Sequence, residues 1–117
     1  IEEIFRKSIN KELKIYKSKA IDFEISKINY ESKRRQVEDL YDAMELIEIK
    51  YSFEIKKRAI ELRKYNIKDM DALHLAFAES QEIDYFITTD KLLINASKRA
   101  NLRMRVINPV QFIMEVI

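Results

Sequence analysis

Glycine and cysteine are both absent from these 117 residues, and histidine and proline occur once each. Each absence removes a class of function. Phosphate-cradling loops need glycine so that the backbone can approach the ligand, which excludes the P-loop and the dinucleotide fingerprint. Without cysteine there is no disulfide scaffold, no Cys-ligated zinc site and no iron–sulfur site. One histidine cannot build a zinc site of several histidines. Any metal must therefore be held by oxygen. Long apolar runs are missing too: the longest uncharged stretch, Val106 to Met114, is nine residues, against roughly 18–20 for a bilayer span. The expectation is a soluble, cytoplasmic protein with no transmembrane helix and no signal peptide.

What is present is globular in character. The composition is 47% hydrophobic and 36% charged, with 22 Lys+Arg against 20 Asp+Glu, a balance that excludes intrinsic disorder. The length suits one domain, 1–117, around a single core. Charge is uneven, however. Residues 1–68 carry 17 basic and 13 acidic side chains, whereas residues 69–117 carry 5 and 7. Lys98, Arg99, Arg103 and Arg105 cluster within eight positions. They read either as ordinary solvated surface or as an edge that contacts RNA phosphates.

Apolar spacing places the elements. Residues 2–14 read as an amphipathic helix and 15–17 as a short strand. Ser18 stands where a helix N-cap belongs, before a helix over 19–28 with Ala20, Phe23 and Ile28 towards the core. Residues 29–35 read as a basic loop leading into a helix with a stripe at Val37, Leu40, Tyr41 and Met44. A brief extended segment follows at 47–51, and Ser52 caps a helix over 53–64 carrying Phe53, Ile55, Ala59, Ile60 and Leu62. Asp69-Met70-Asp71 opens an apolar helix, and residues 85–89 have the look of a buried strand. A helix over 91–100, a strand over 104–106 and a helix after Asn108-Pro109 complete the chain. Strands alternating with helices point to an α/β domain with a parallel sheet flanked by helices.

In open parallel sheets, ligands bind beyond the carboxyl ends of the strands. Asp90 directly follows one strand, Asp71 lies in the first turn of a helix, and Glu24 lies about two turns into the helix after the strand 15–17. Carboxylates without histidine or cysteine companions suit a hard cation, Mg²⁺ or Mn²⁺. Each acid also has a plainer role open to it: Asp90 and Asp71 as helix caps, and Glu24 as solvated surface. His74, three residues after Asp71, reads as a partly buried helix residue. Phe23, Tyr41, Phe53, Tyr65, Phe77, Phe86 and Phe112 recur at core spacings and read as packing, not as RNA-stacking platforms.

The run Asp71-Ala72-Leu73-His74-Leu75-Ala76, then Asp84-Tyr85-Phe86-Ile87-Thr88-Thr89-Asp90 and a Leu-Leu helix, closely resembles the C-terminal half of a PIN domain. So does the closing run Val106-Ile107-Asn108-Pro109-Val110-Gln111-Phe112. Upstream, Ser18 followed six residues later by Glu24 resembles the family's second acidic position. PIN domains are the nuclease domains of VapC-type toxins and of several RNA-processing enzymes. The resemblance implies a PIN-like three-layer fold and metal-dependent cleavage of RNA phosphodiesters. Glu24, Asp71 and Asp90 would bind Mg²⁺ or Mn²⁺, with Thr88 orienting the last acid. It also implies a protein antitoxin partner and a homodimer. Lys98, Arg99 and Arg103 are the candidate RNA contacts.

One departure stands out. The family's first strand, which ends in an Asp and lies mid-sheet, has no counterpart before residue 15, and the chain begins at Ile1 instead of Met. The expectation is a chain short by roughly 10–20 residues, with the resulting gap filled or closed. The missing Asp favours the other reading: a PIN-like module that binds RNA or protein without cleaving.

Overall fold

A computed structural model describes residues 13–44 and 46–116; the expected helix over 2–14 lies mostly outside them. The chain divides into two compact units, Ile1–Lys50 and Tyr51–Ile117, each described here by itself.

In unit 1, β1 (Ile15–Lys17) is followed by α1 (Lys19–Ser26), α2 (Glu31–Ala43) and β2 (Leu46–Glu48). β1 and β2 pair in parallel, Ile15 opposite Leu46 and Lys17 opposite Glu48. The Ile49 N–H extends the ladder by donating to the Lys17 carbonyl at 2.8 Å. Ser18 occupies the N-cap of α1 as expected, but its side chain makes no cap bond. Its Oγ is buried without a hydrogen-bond partner among the described residues. Ala20 is buried, yet Phe23, expected in the core, is half exposed. α2 starts inside the expected loop and buries no residue fully, and Leu40 of its apolar stripe is exposed. Helical spacing shows which residues share a face; it does not show that anything covers that face.

Unit 2 contains α3 (Phe53–Leu62), a 3₁₀ turn (Arg63–Tyr65), α4 (Asp69–Ser80), β3 (Tyr85–Ile87), α5 (Lys91–Arg99), β4 (Arg105–Ile107) and α6 (Pro109–Val116). β3 and β4 are parallel, Tyr85 opposite Arg105 and Ile87 opposite Ile107. α3 and α4 form the core by packing Ile55, Ala59 and Leu62 with Ala72, Leu75 and Ala76, all buried. Small alanines allow close approach, and the fully buried Leu62 and Leu75 fill the seam. The Ser52 Oγ accepts from the Ile55 N–H at 3.3 Å and so caps α3. Arg58 ties the two helices together through Glu79, its Nε 2.6 Å and its Nη2 3.3 Å from the carboxylate. That hydrogen-bonded carboxylate holds the guanidinium pKa above its usual value, against the opposing effect of burial. Phe53 and Ile60 of the expected α3 stripe point to solvent instead, because the helix has one packed face and they lie off it. The Tyr85 and Phe112 rings meet edge to face at 5.1 Å, seating α6 on β3.

The structure is mixed α/β with short parallel strands, consistent with a PIN-like domain. Where one parallel sheet is expected, the described residues form two separate two-stranded pairs. With no glycine, left-handed positions fall to Asn66, Glu82 and Asn101, at φ 62°, 54° and 51°. Asparagine tolerates that region best among the others; Glu82 does not. No helix among the described residues is long and apolar enough to cross a membrane.

Candidate functional site

Asp90 sits just beyond the carboxyl end of β3. The Thr88 N–H donates to the Ile107 carbonyl at 3.0 Å, carrying the β3–β4 ladder one residue past the strand. The Asp90 N–H in turn donates to Thr88 Oγ1 at 3.2 Å. Thr88 therefore shapes the turn that presents Asp90, acting on its backbone and not on its carboxylate. Asp90 is also the N-cap of α5: its Oδ1 accepts from the N–H groups of Leu92 at 3.0 Å and Leu93 at 3.2 Å. Capping is thus a real role for this residue, though it uses only one oxygen. Among the described residues, Oδ2 takes part in no hydrogen bond or ion pair.

Asp71 lies in the first turn of α4, half-buried. A carboxylate there is favoured by the helix macrodipole. Asp69, two residues earlier, is engaged differently, 2.6 Å from Arg63 Nε. His74 follows one turn along α4, half-buried as expected. Glu24 lies near the end of α1 in unit 1, with an exposed side chain.

The three basic candidates sit apart from Asp90 along the fold. Lys98 and Arg99 form the last turn of α5, which Asp90 begins, about 12 Å away at 1.5 Å per residue. Both favour the negative end of the helix dipole, and Arg99 Nη2 donates to the Tyr65 carbonyl at 3.3 Å. Arg103 precedes β4, at the amino end of the parallel pair. It lines a cleft of about 500 Å³ with Glu54, Arg58, Glu79 and Asn101, a lining of mixed sign.

Every candidate acid offers carboxylate oxygen, the donor that hard divalent cations prefer. Among the described residues, no group of three or more His, Cys, Asp or Glu comes together to hold a metal ion. Mg²⁺, however, is commonly held by one or two carboxylates, with water and substrate phosphate completing the shell. Asp71 and Asp90 fit that requirement in kind.

Unit 2 thus carries one acid just beyond the carboxyl end of β3 and another in the first turn of α4. The PIN domain family model matches residues 2–99, and the chain belongs to that family. PIN domains are generally nucleases that act on nucleic acid with divalent metal ions. No curated protein and no solved structure matches the chain significantly.

The sequence-based reading missed two lysine–aromatic pairs in unit 1. Lys27 Nζ lies 4.2 Å from the Phe23 ring centroid and Lys33 Nζ 5.3 Å from that of Tyr30. The signal lies in the i, i+4 and i, i+3 spacings, with Phe23 read as packing and Tyr30 falling in the expected loop.

Proposed function

We propose that this protein is a Mg²⁺- or Mn²⁺-dependent ribonuclease that hydrolyses RNA phosphodiesters. We further assign it as the cytoplasmic toxin of a toxin–antitoxin pair, a homodimer with a protein antitoxin. The observation that carries the catalytic reading is the position of Asp90. It is fixed at the end of β3 by Thr88 and by α5, with Oδ2 in no hydrogen bond among the described residues.

Asp71 and Asp90 would hold the cation, and Glu24 joins them on the family pattern alone. A divalent ion so held would supply an activated water and offset the charge that builds on the phosphate. Thr88 keeps the Asp90 backbone in one conformation, which limits the reorganisation needed to bind. No side chain is required as a nucleophile, in keeping with a chain that has no cysteine and a single histidine. Lys98, Arg99 and Arg103 are proposed to contact RNA remote from the scissile bond.

The test is incubation of the purified protein with single-stranded RNA in Mg²⁺ or Mn²⁺, with and without chelator. Cleavage that needs the metal and is lost in Asp71→Asn supports the reading; cleavage by Asp71→Asn at the parent rate overturns it. One observation favours a second reading, a non-cleaving RNA-binding or protein-interaction module: no cluster of three acids forms among the described residues. RNA binding with no cleavage in either metal would select it.

A further inference from the structure

Two aromatic rings at the α1–α2 corner of unit 1 face solvent, Phe23 at 50% and Tyr30 at 70% exposure. Large exposed rings are poorly placed for packing, and each of these carries a lysine ammonium over one face. The neighbouring arginines are engaged differently: Arg34 lies 3.6 Å from Glu38 and Arg35 2.9 Å from Glu31. Lys27 and Lys33 form no ion pair with a carboxylate among the described residues.

The local charge is strongly biased. From Lys17 to Arg35 there are six basic and three acidic side chains, on a chain whose net charge is only +2. Glu31 opens α2, Lys33, Arg34 and Arg35 follow within its first two turns, and Asp39 and Asp42 lie towards its end. The two arginines are held by their i, i+4 carboxylates. Lys33 gains nothing from the helix field there, which favours acids first and bases last, and is available to a bound anion.

We propose that this corner is a stacking platform for single-stranded RNA, with bases on Phe23 and Tyr30 and phosphates on Lys27 and Lys33. The choice of RNA rests on the ribonuclease reading above. Every base has a π-face, so stacking on aromatic side chains within a positive groove holds a single strand without reading its sequence. Each lysine lies over one ring face, and a base would stack on the other. Aromatics and arginine are enriched at protein–protein interfaces but lysine is depleted there, and it is lysines that lie over both rings. Phe23 immediately precedes Glu24 on α1, so a strand on the platform lies against the helix that bears a candidate acid.

The test uses the full chain carrying Asp71→Asn and Asp90→Asn, which keeps RNA intact whether or not the protein cleaves it. Fluorescein-labelled oligouridylate of twelve nucleotides is titrated by anisotropy. Adding Phe23→Ala and Tyr30→Ala together should weaken binding on the order of 10-fold or more. Adding Lys27→Gln and Lys33→Gln should flatten the slope of log affinity against log salt by about 1.4, two phosphates at about 0.7 each.

Because the chain has no tryptophan, Phe23→Trp places a single indole on the platform. It should preserve affinity, and its emission should be quenched by bound RNA. Circular dichroism of each variant should match the parent, since both rings are largely outside the core. Affinity within twofold of the parent in the double alanine variant would overturn the proposal. So would an unchanged indole emission at saturating RNA, absence of RNA binding by the parent, or ring removal that alters only self-association. RNA binding through these rings by a parent chain that never cleaves would overturn the ribonuclease reading and leave the platform standing.

Discussion

Replacing Asp90 by asparagine and by alanine separates the two roles the structure gives it. The carboxylate caps α5 through Oδ1, with bonds of 3.0 and 3.2 Å to two backbone N–H groups. Alanine removes both bonds, and such losses cost about 1 kcal/mol, within a range of about 0.5–2. The Leu92 N–H is exposed and can turn to water, while the Leu93 N–H is part-buried, which keeps the expected cost near 1 kcal/mol. Asparagine caps as well as aspartate and loses only the attraction of a charge to the helix dipole. At an exposed site that is about 0.3–0.5 kcal/mol, offset by any repulsion from Asp71 that it relieves. By circular dichroism, alanine should lower Tm by about 4 °C and asparagine by about 2 °C or less. Metal-dependent RNA cleavage should vanish in both. Undiminished cleavage by Asp90→Asn would refute a role beyond capping, and equal destabilisation by the two variants would refute the cap.

Three further outcomes follow from the structure. Glu82 holds φ 54° where α4 closes, with its N–H on the Glu79 carbonyl and the Ile83 N–H on that of Ala78, a position usually taken by glycine. Glu82→Gly should therefore raise stability by about 0.5–1 kcal/mol in urea titration, since an L-residue there costs about 1–2 kcal/mol. Leu75→Ala, at a site with 0% exposure, should destabilise unit 2 by about 2–5 kcal/mol in the same titration. The Tyr41 phenol is held above its ordinary pKa of 10.0, chiefly by burial and secondarily by the charge of Asp22. The folded state then keeps its proton where the unfolded state has lost it, so this contribution to stability is full below about pH 10 and declines as pH rises further. Phenolate absorbance should show Tyr41 titrating later than an ordinary tyrosine, and Asp22→Asn should move it only part of the way back.

Much of the fold was legible because its local signals are strong. β1 falls at Ile15–Lys17 as expected, Ser52 caps α3, and Asp69 opens α4. The αβ alternation and parallel pairing follow from the same periodicities. Burial was less legible. Phe23, Phe53 and Ile60 satisfy helical spacing but face solvent, since periodicity carries no information about what packs against a face. Of the candidate site residues, Asp90 stood out by its place after a β-branched run, and Thr88 by the family resemblance. The division of Asp90 between a capping oxygen and one in no hydrogen bond among the described residues depends on the rotamer, and the lysine–ring pairs depend on how an uncovered helix face is used.

The most direct test of the central claim is the chemistry of the RNA ends left by the purified protein in Mn²⁺. Direct hydrolysis by water would leave a linear phosphate on one end and a hydroxyl on the other, the expelled ester oxygen taking up a proton, and would not use the 2′-hydroxyl. Those ends should appear with Mn²⁺ and disappear on chelation or in Asp71→Asn. A 2′,3′-cyclic phosphate, or the same fragments in the presence of chelator, would contradict the account.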